Sequence, residues 1–241
     1  MKKHIPNLLT LGNLFCGAVA VMYAVQGDFE IAGLLVVAGI IFDFFDGFAA
    51  RVLGVSGELG KQLDSLADMV TSGVVPGIIM FYLISENQTG TEMLTNPVNV
   101  VNFIPFIGLI LTLGAGYRLA KFNIDTRQSD SFIGLPTPAM SLFVISLPLI
   151  LKYSESAFIN NIIENTYFLI LVTVALTYLM NAELPLFSLK FKEYSFKNNI
   201  VKYLFILISV FLILCLKVIS IPIIIVFYVL LSIIQSYYKP K

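Results

Sequence analysis

The sequence predicts an all-α integral membrane protein with about eight transmembrane helices. Hydrophobic residues make up 58% of the 241 residues and charged residues only 12%, whereas soluble domains are about 45–50% apolar and about 25% charged. The apolar residues also lie in long runs, and about 20 helical residues are enough to cross a bilayer. Because these runs leave no room for a soluble domain beside them, we expect the chain to be embedded in the membrane.

Eight apolar stretches approach the spanning length, and we interpret each as one helix. They lie at about 8–25, 31–50, 66–84, 101–119, 138–153, 166–182, 200–217 and 220–237. Several are near the short limit for a span, and a tight turn around Lys217 and Pro222 separates the last two. We expect residues 1–185 to form the membrane core, and residues 186–241 to add a cytoplasmic loop and a C-terminal transmembrane hairpin.

The first stretch resembles a secretory signal peptide, since Lys2 and Lys3 precede an apolar run. It lacks a convincing small-residue cleavage site, and the following stretches need a first span. We therefore expect it to remain in the mature protein. Cys16 and Cys215 both lie in apolar stretches, where two lone cysteines are expected to pack rather than to form a disulfide or bind a metal.

The distribution of positive charge predicts the orientation. If the amino terminus is cytoplasmic, every Lys and Arg except Lys152 and Lys217 falls on the cytoplasmic side, as the positive-inside rule expects. An even number of spans then puts both termini in the cytoplasm, for a multi-pass protein of the cell (inner) membrane. The basic segment with Lys190, Lys192 and Lys197 is expected to lie near anionic headgroups, so we expect a lipid bilayer and no nucleic acid as its partner.

Four aspartates stand close together on otherwise apolar sequence: Asp43, Asp46, Asp64 and Asp68. A carboxylate near the centre of a membrane helix costs about 2.5–3.5 kcal/mol on insertion scales, so four of them need a partner that offsets this cost. On helices, the first two share one face and the last two share another. A cage of carboxylate oxygens without His or Cys suits Mg²⁺ or Mn²⁺, with Ca²⁺ as an alternative, better than Zn²⁺.

The neighbouring residues indicate a ligand that carries phosphate. Gly47 and Ala50 keep one helix face thin beside the aspartates, and Arg51 offers a planar fork that suits phosphate. One or two divalent ions with these residues would suit a diphosphate-linked nucleotide, and Asp68 could accept the proton of an attacking hydroxyl. The pattern thus predicts a metal-dependent membrane enzyme whose site faces the cytoplasm.

Two other classes of protein could carry intramembrane aspartates. A cation-coupled transporter would line an ion path with them, but it is expected to have broken helices and repeated halves, and the sequence has no internal repeat. A lipid-binding scaffold would not need a base, whereas Asp68 is present. Buried ion pairs are a further, purely structural interpretation for a single aspartate.

Written as D-x2-D-G-x2-A-R-x8-G-x3-D-x3-D, the pattern resembles the complete signature of the CDP-alcohol phosphotransferases. This resemblance implies a core of six helical spans, a homodimer, and attack of an alcohol on a CDP-linked lipid with release of CMP. All identities and spacings of the signature match, at Asp43, Asp46, Gly47, Ala50, Arg51, Gly60, Asp64 and Asp68.

The same resemblance implies roles for these residues. Asp43, Asp46 and Asp64 would hold one metal ion, and Asp43, Asp64 and Asp68 would serve a second, with Asp68 also the general base. The segment PNLLT at residues 6–10 resembles the family segment that contacts the nucleotide lipid. The residues expected to bind the CDP-lipid are Asn7, Thr10, Gly47, Ala50, Arg51 and Gly60.

Two later motifs, YRLAKFN at 117–123 and FIGLPTP at 132–138, resemble the bacterial phosphatidylserine synthase branch. They imply CDP-diacylglycerol and L-serine as substrates, although Lys121 stands where that branch usually has Arg. Serine is a zwitterion, so Arg118, Lys121 and Asn123 are candidates to bind it. Arg118 and Lys121 could instead be anchors that follow the positive-inside rule. The FIGLPTP motif could be only a turn before a helix, or it could shape the substrate entrance. Glycerol 3-phosphate or an inositol compound is the alternative acceptor, although a phosphorylated acceptor calls for more cations than this face offers.

Overall fold

The computed structural model describes residues 4–55, 57–89, 103–125, 132–187 and 199–238. The α-helices among them are α1 (His4–Val25), α2 (Phe29–Leu53), α3 (Glu58–Asp68), α4 (Val75–Thr89), α5 (Ile110–Ile124), α6 (Thr137–Tyr153), α7 (Ala157–Ile163), α8 (Thr166–Asn181), α9 (Ile200–Leu216) and α10 (Ser220–Tyr238). A π-helical turn, Met69–Val74, joins α3 to α4, and 3₁₀ turns at Ile104–Leu109 and Lys217–Ile219 precede α5 and α10. Two short strands, β1 (Phe132–Ile133) and β2 (Pro185–Leu186), pair antiparallel.

The all-α membrane fold is confirmed, since each predicted apolar stretch is helical over most of its described length. By length and composition, five helical segments of the described chain could cross a membrane, or six if α7 and α8, bent by 66°, form one span. Helix α6 is apolar but is not among these segments, because it has only 17 residues. Helices α9 and α10 together make up one of them, residues 200–236. The number of eight spans and the cytoplasmic termini therefore stay predictions. The basic loop with Lys190, Lys192 and Lys197 lies outside the described residues.

Local signals set the ends of α2, the helix that carries the first two aspartates. Asp28 caps its start by accepting a hydrogen bond from Ile31 N at 3.2 Å. Gly54 ends it at φ +63°, a left-handed conformation that glycine adopts without a side-chain clash, and Val55 N donates to Ala50 O at 3.0 Å. The helix thus ends one turn after Ala50, and the chain can return to α3.

The π-helical turn begins directly after Asp68 and packs closely against α1 and α2. Thr71 is fully buried and its hydroxyl donates to Asn13 O at 3.2 Å. Gly39 leaves the space for this contact, because a Cβ there would lie 2.7 Å from both Asn13 Oδ1 and Thr71 Cγ2. Small residues allow membrane helices to approach in this way, and π-turns often occur at functional sites.

At the end of α2 far from the aspartates, the side chain of Glu30 bonds to residues at the end of α6. Lys152 Nζ pairs with its carboxylate, and the Tyr153 hydroxyl donates to Glu30 Oε1 at 2.6 Å. Helix α6 begins at Thr137 with Pro138 in its first turn, which agrees with one of the two interpretations of FIGLPTP, a turn before a helix. The strand β1 just before it was not predicted.

Replacing Gly108 with alanine is expected to destabilise the fold. A Cβ at this position would lie 2.5 Å from Phe81 N and 2.8 Å from Met80 C, and backbone atoms cannot move aside by a rotamer change. We expect Gly108→Ala to lower the free energy of unfolding by about 1–3 kcal/mol, measured by thermal unfolding in detergent. Gly33→Ala is the matched control, because its Cβ would meet only side chains, at 3.9–4.0 Å. An unchanged melting temperature for Gly108→Ala would contradict the packing described.

Candidate active site

Three of the four aspartates converge between α2 and α3. One carboxylate oxygen from each of Asp43, Asp46 and Asp64 lies within 4.8 Å of the other two. Asp46 is buried, with 7% of its surface exposed, and the other two are half-buried. Mg²⁺ binds oxygens at about 2.0–2.1 Å and Ca²⁺ at about 2.3–2.6 Å, so two oxygens on one ion lie at most about 4.2 Å or about 5.2 Å apart. A spacing of up to 4.8 Å suits Ca²⁺ directly, and it suits Mg²⁺ once the oxygens move closer by up to about 0.6 Å. The residues present therefore fit a divalent cation held by carboxylates.

Asp68 lies one helical turn beyond Asp64, at the end of α3, and is not part of this group of three. Its Oδ1 accepts a hydrogen bond from Asn13 Nδ2 at 3.1 Å. Asn13 is fully buried in α1, and the sequence analysis did not single it out. The available signal was a lone amide within an otherwise apolar stretch. The bond restrains one Asp68 oxygen and leaves Oδ2 for other chemistry.

Thr10 orients Asp46 from α1. Its hydroxyl lies 2.5 Å from Asp46 Oδ2 and 3.0 Å from Pro6 O. A hydroxyl has one hydrogen to donate, and the shorter contact to a charged acceptor favours the bond to Asp46. Thr10 was predicted to bind the CDP-lipid, which stays a prediction; the structure shows that it supports the carboxylate cluster.

An open cavity of about 190 Å³ lies beside the cluster. Five of the six residues predicted to bind the CDP-lipid line it, and so do two of the aspartates. The sixth, Arg51, is exposed next to Gly47, with Nη1 3.5 Å from the position that a Cβ on Gly47 would take. The lining residues are Pro6, Asn7, Thr10, Asp46, Gly47, Ala50, Val55, Gly57, Gly60, Lys61 and Asp64.

Asn123 connects the end of α5 to α3. Its Oδ1 accepts from Ser65 Oγ at 3.2 Å, its main-chain oxygen accepts from Lys61 Nζ, and its Nδ2 donates to Gln62 Oε1 at 3.4 Å. These bonds hold α3, which carries Asp64 and Asp68. The structure therefore separates Asn123 from the other two residues predicted to bind serine.

Arg118 and Lys121 line a separate small cleft. Arg118 is 7% exposed, and its Nη1 donates to Ile133 O and Met180 O, each at 2.9 Å. Lys121 Nζ lies 3.4 Å from Glu183 Oε1, an acidic residue that the sequence analysis missed. The cleft measures about 10 Å³, room for about one water molecule, so an amino acid does not fit into it in this conformation. Its lining residues are Arg118, Lys121, Asp125, Ile133, Met180, Asn181 and Ala182.

The sequence was compared with known families and proteins. The family model for CDP-alcohol phosphatidyltransferase matches residues 3–179, which include every predicted site residue. The chain is 32% identical to a CDP-diacylglycerol–serine O-phosphatidyltransferase of Bacillus subtilis (strain 168) over 149 residues, 60% of this chain and 75% of the relative. It is 32% identical to the protein of that name from Helicobacter pylori (strain 26695) over 185 residues, 76% of this chain and 72% of the relative. The archaetidylserine synthase of Methanothermobacter thermautotrophicus is 29% identical over 154 residues, 63% of this chain and 60% of the relative.

Proposed function

Because the chain belongs to the CDP-alcohol phosphatidyltransferase family, we propose that it transfers the phosphatidyl group of CDP-diacylglycerol to the hydroxyl of L-serine, giving phosphatidylserine and CMP. The observation that carries the proposal is the convergence of Asp43, Asp46 and Asp64 beside a cavity lined by the predicted CDP-lipid residues. The names of the bacterial relatives support serine as the acceptor.

The aspartates are assigned to divalent cations. Asp43, Asp46 and Asp64 would hold one ion, and Asp43, Asp64 and Asp68 would hold a second, with Mg²⁺ or Mn²⁺ favoured because all ligand atoms are carboxylate oxygens. Bound ions would supply positive charge that offsets the charge of the diphosphate and of the departing CMP. The protein's own part is to fix the carboxylates, through the bonds from Thr10 to Asp46 and from Asn13 to Asp68.

The nucleotide lipid is assigned to the cavity beside the cluster. Gly47 and Ala50 give the ligand access to the α2 backbone, and Asn7 faces Gly60 across the cavity, 3.5 Å from where a Cβ on that glycine would lie. Arg51, exposed at the edge beside Gly47, is positioned to donate to a phosphate oxygen as it approaches.

The chemical step is a direct displacement at the lipid-side phosphorus. Asp68 accepts the proton of the serine hydroxyl, and the serine oxygen forms the new bond to phosphorus. The bond from that phosphorus to the bridging oxygen breaks, and CMP leaves with this oxygen. The bond from Asn13 leaves Asp68 Oδ2 as the oxygen that takes the proton.

The orientation with the site at the cytoplasmic face is also a proposal. Lys152 is bonded to Glu30 at the start of α2, and Lys217 and Tyr153 line one cavity, so the two lysines assigned to the outside lie near the same end of the bundle. Asp43 lies about 20 Å further along α2, at 1.5 Å per residue. A cytoplasmic site in the cell membrane, and a homodimer as the family resemblance implies, follow as predictions that cysteine labelling and mass measurement in detergent can check.

Purified protein in detergent tests the reaction. With CDP-diacylglycerol and Mn²⁺ or Mg²⁺, we expect CMP release when serine is supplied and none with glycerol 3-phosphate or inositol. Release with another alcohol alone would keep the aspartate mechanism and overturn serine as the acceptor. Binding of nucleotide and metal without release of CMP under any condition would overturn the proposed transfer.

Lys121→Ala is expected to weaken serine binding selectively. Loss of a charge-assisted hydrogen bond to the serine carboxylate should raise the KM for serine about tenfold or more, since such bonds contribute about 1.5–3 kcal/mol. The KM for CDP-diacylglycerol should change less than about twofold. Lys152→Ala, at the far end of the bundle, is the matched lysine control. Unchanged serine kinetics in both Lys121→Ala and Arg118→Ala would remove these residues from the acceptor site.

A further inference from the structure

The C-terminal hairpin of α9 and α10 lies beyond the residues that the family model matches, yet it is bonded to the core. The Tyr228 hydroxyl in α10 donates to the main-chain oxygen of Phe187, just after β2, at 2.8 Å. The rings of these two residues meet edge to face with centroids 5.0 Å apart, and Phe205 of α9 packs on Phe187 at 5.9 Å. Leu186 of β2 and Val229 of α10 are 1% and 6% exposed. The hairpin thus holds the end of β2 through one hydrogen bond and an aromatic cluster.

Strand β2 in turn holds β1 and the turn that follows it. Ile133 pairs with Pro185, and Gly134 N donates to Leu184 O, directly before β2, at 2.9 Å. Leu135 N donates instead to Leu179 O in α8, at 2.9 Å. Gly134 adopts φ +75°, and a Cβ there would lie 3.0 Å from Ala182 O. Glycine adopts this left-handed conformation without strain and has no Cβ to clash, so the tight turn requires glycine here.

The strand pair carries one of the two carbonyls that orient Arg118. Its Nη1 has two hydrogens, and they go to Ile133 O in β1 and to Met180 O at the end of α8. A contiguous set of bonds therefore runs from Tyr228 through Phe187, β2 and β1 to the guanidinium of Arg118. Moving β2 would move one of the two groups that fix this buried cation.

We propose that Tyr228 is a positioning residue for the serine site: by holding the Phe187 carbonyl, it keeps the β1–β2 pair, and through it Arg118, in place. The inference rests on the proposed function. It gives the C-terminal hairpin a role on the acceptor side of the enzyme rather than that of an appended membrane anchor.

Tyr228→Phe tests the proposal, since it removes one oxygen and keeps the ring. We expect hydrogen exchange at the amide of Gly134, which is bonded next to β2, to rise about three- to tenfold, the range that loss of one hydrogen bond gives. The KM for serine should rise by a similar factor, while kcat and the KM for CDP-diacylglycerol change less than about twofold. Tyr167→Phe is the matched control, because Tyr167 is 83% exposed at the start of α8.

A double mutant separates coupling to Arg118 from a general loss of stability. If Tyr228 acts through Arg118, adding Tyr228→Phe to Arg118→Lys should raise the serine KM no further, whereas independent effects would multiply. Unchanged amide exchange in Tyr228→Phe would overturn the proposal, and so would raised exchange with unchanged serine KM. If the wild-type protein releases no CMP in response to serine, the proposed function is overturned instead. The exchange measurement would then still show whether the hairpin is coupled to β1.

Discussion

Asp68→Asn is expected to abolish transfer while the protein still binds CDP-diacylglycerol. Asparagine has the shape of aspartate but cannot take the proton of the serine hydroxyl, and a general base contributes about 10²–10⁴-fold to a rate. Its side-chain oxygen can still accept the bond that Asn13 Nδ2 donates to Asp68 Oδ1 at 3.1 Å, so the surroundings of the residue should be preserved. We therefore expect kcat to fall at least about 10²-fold without loss of lipid binding.

The measurement is serine-dependent CMP release, paired with stabilisation of the protein by CDP-diacylglycerol against heat. Asp28→Asn is the matched control, because Asp28 caps the far end of α2 and asparagine caps helices as well as aspartate does. Turnover of Asp68→Asn close to that of the wild type would show that another group takes the proton. Joint loss of turnover and lipid binding would show that the second cation, which Asp68 is proposed to hold, is also needed to bind the lipid.

The aspartate cluster could be predicted because it depends on short-range geometry. Asp43 and Asp46 are one helical turn apart on α2, and a short glycine-containing loop returns the chain to α3, so Asp64 must come close. The environment of Asp68 was less predictable. It lies where α3 gives way to a π-turn, and the hydrogen bond that it accepts from Asn13 depends on how α1 packs against α3 rather than on residue spacing.

The surroundings of Arg118 could not be predicted for a related reason. The charge and its place near the end of an apolar stretch are visible in the sequence, but its partners are main-chain oxygens at Ile133 and Met180, which any residue could supply. The strands that position Ile133 have two residues each, too short for an alternating pattern to be recognised. Asn123 likewise bears an amide that suits a ligand, and its contacts to α3 depend on how α3 and α5 pack.

Asp64→Asn is expected to weaken cation binding and transfer together. Asp64 belongs to the group of three and also lines the cavity. Even partners that only support metal ligands typically contribute 10–100-fold to affinity, so loss of a ligand should weaken Mn²⁺ binding by at least about 100-fold. Electron paramagnetic resonance of Mn²⁺ measures this directly, without reliance on turnover. CMP release should fall by at least the same factor.

The melting temperature tests the same variant a second time, because its change is expected to have opposite signs without and with a cation. Three carboxylates within 4.8 Å of one another repel when no cation lies between them, because like charges at this distance in apolar surroundings are poorly screened. With a chelator present, Asp64→Asn should therefore melt at a higher temperature than the wild type. With added Mg²⁺ or Mn²⁺ the order should reverse, since only the wild type gains the stabilisation that a bound ligand confers on the native state.

If the aspartates instead served structural ion pairs, the variant would melt lower in chelator, because removing one partner leaves the other charge unpaired. The sign of the change in chelator thus separates a cation site from a structural network.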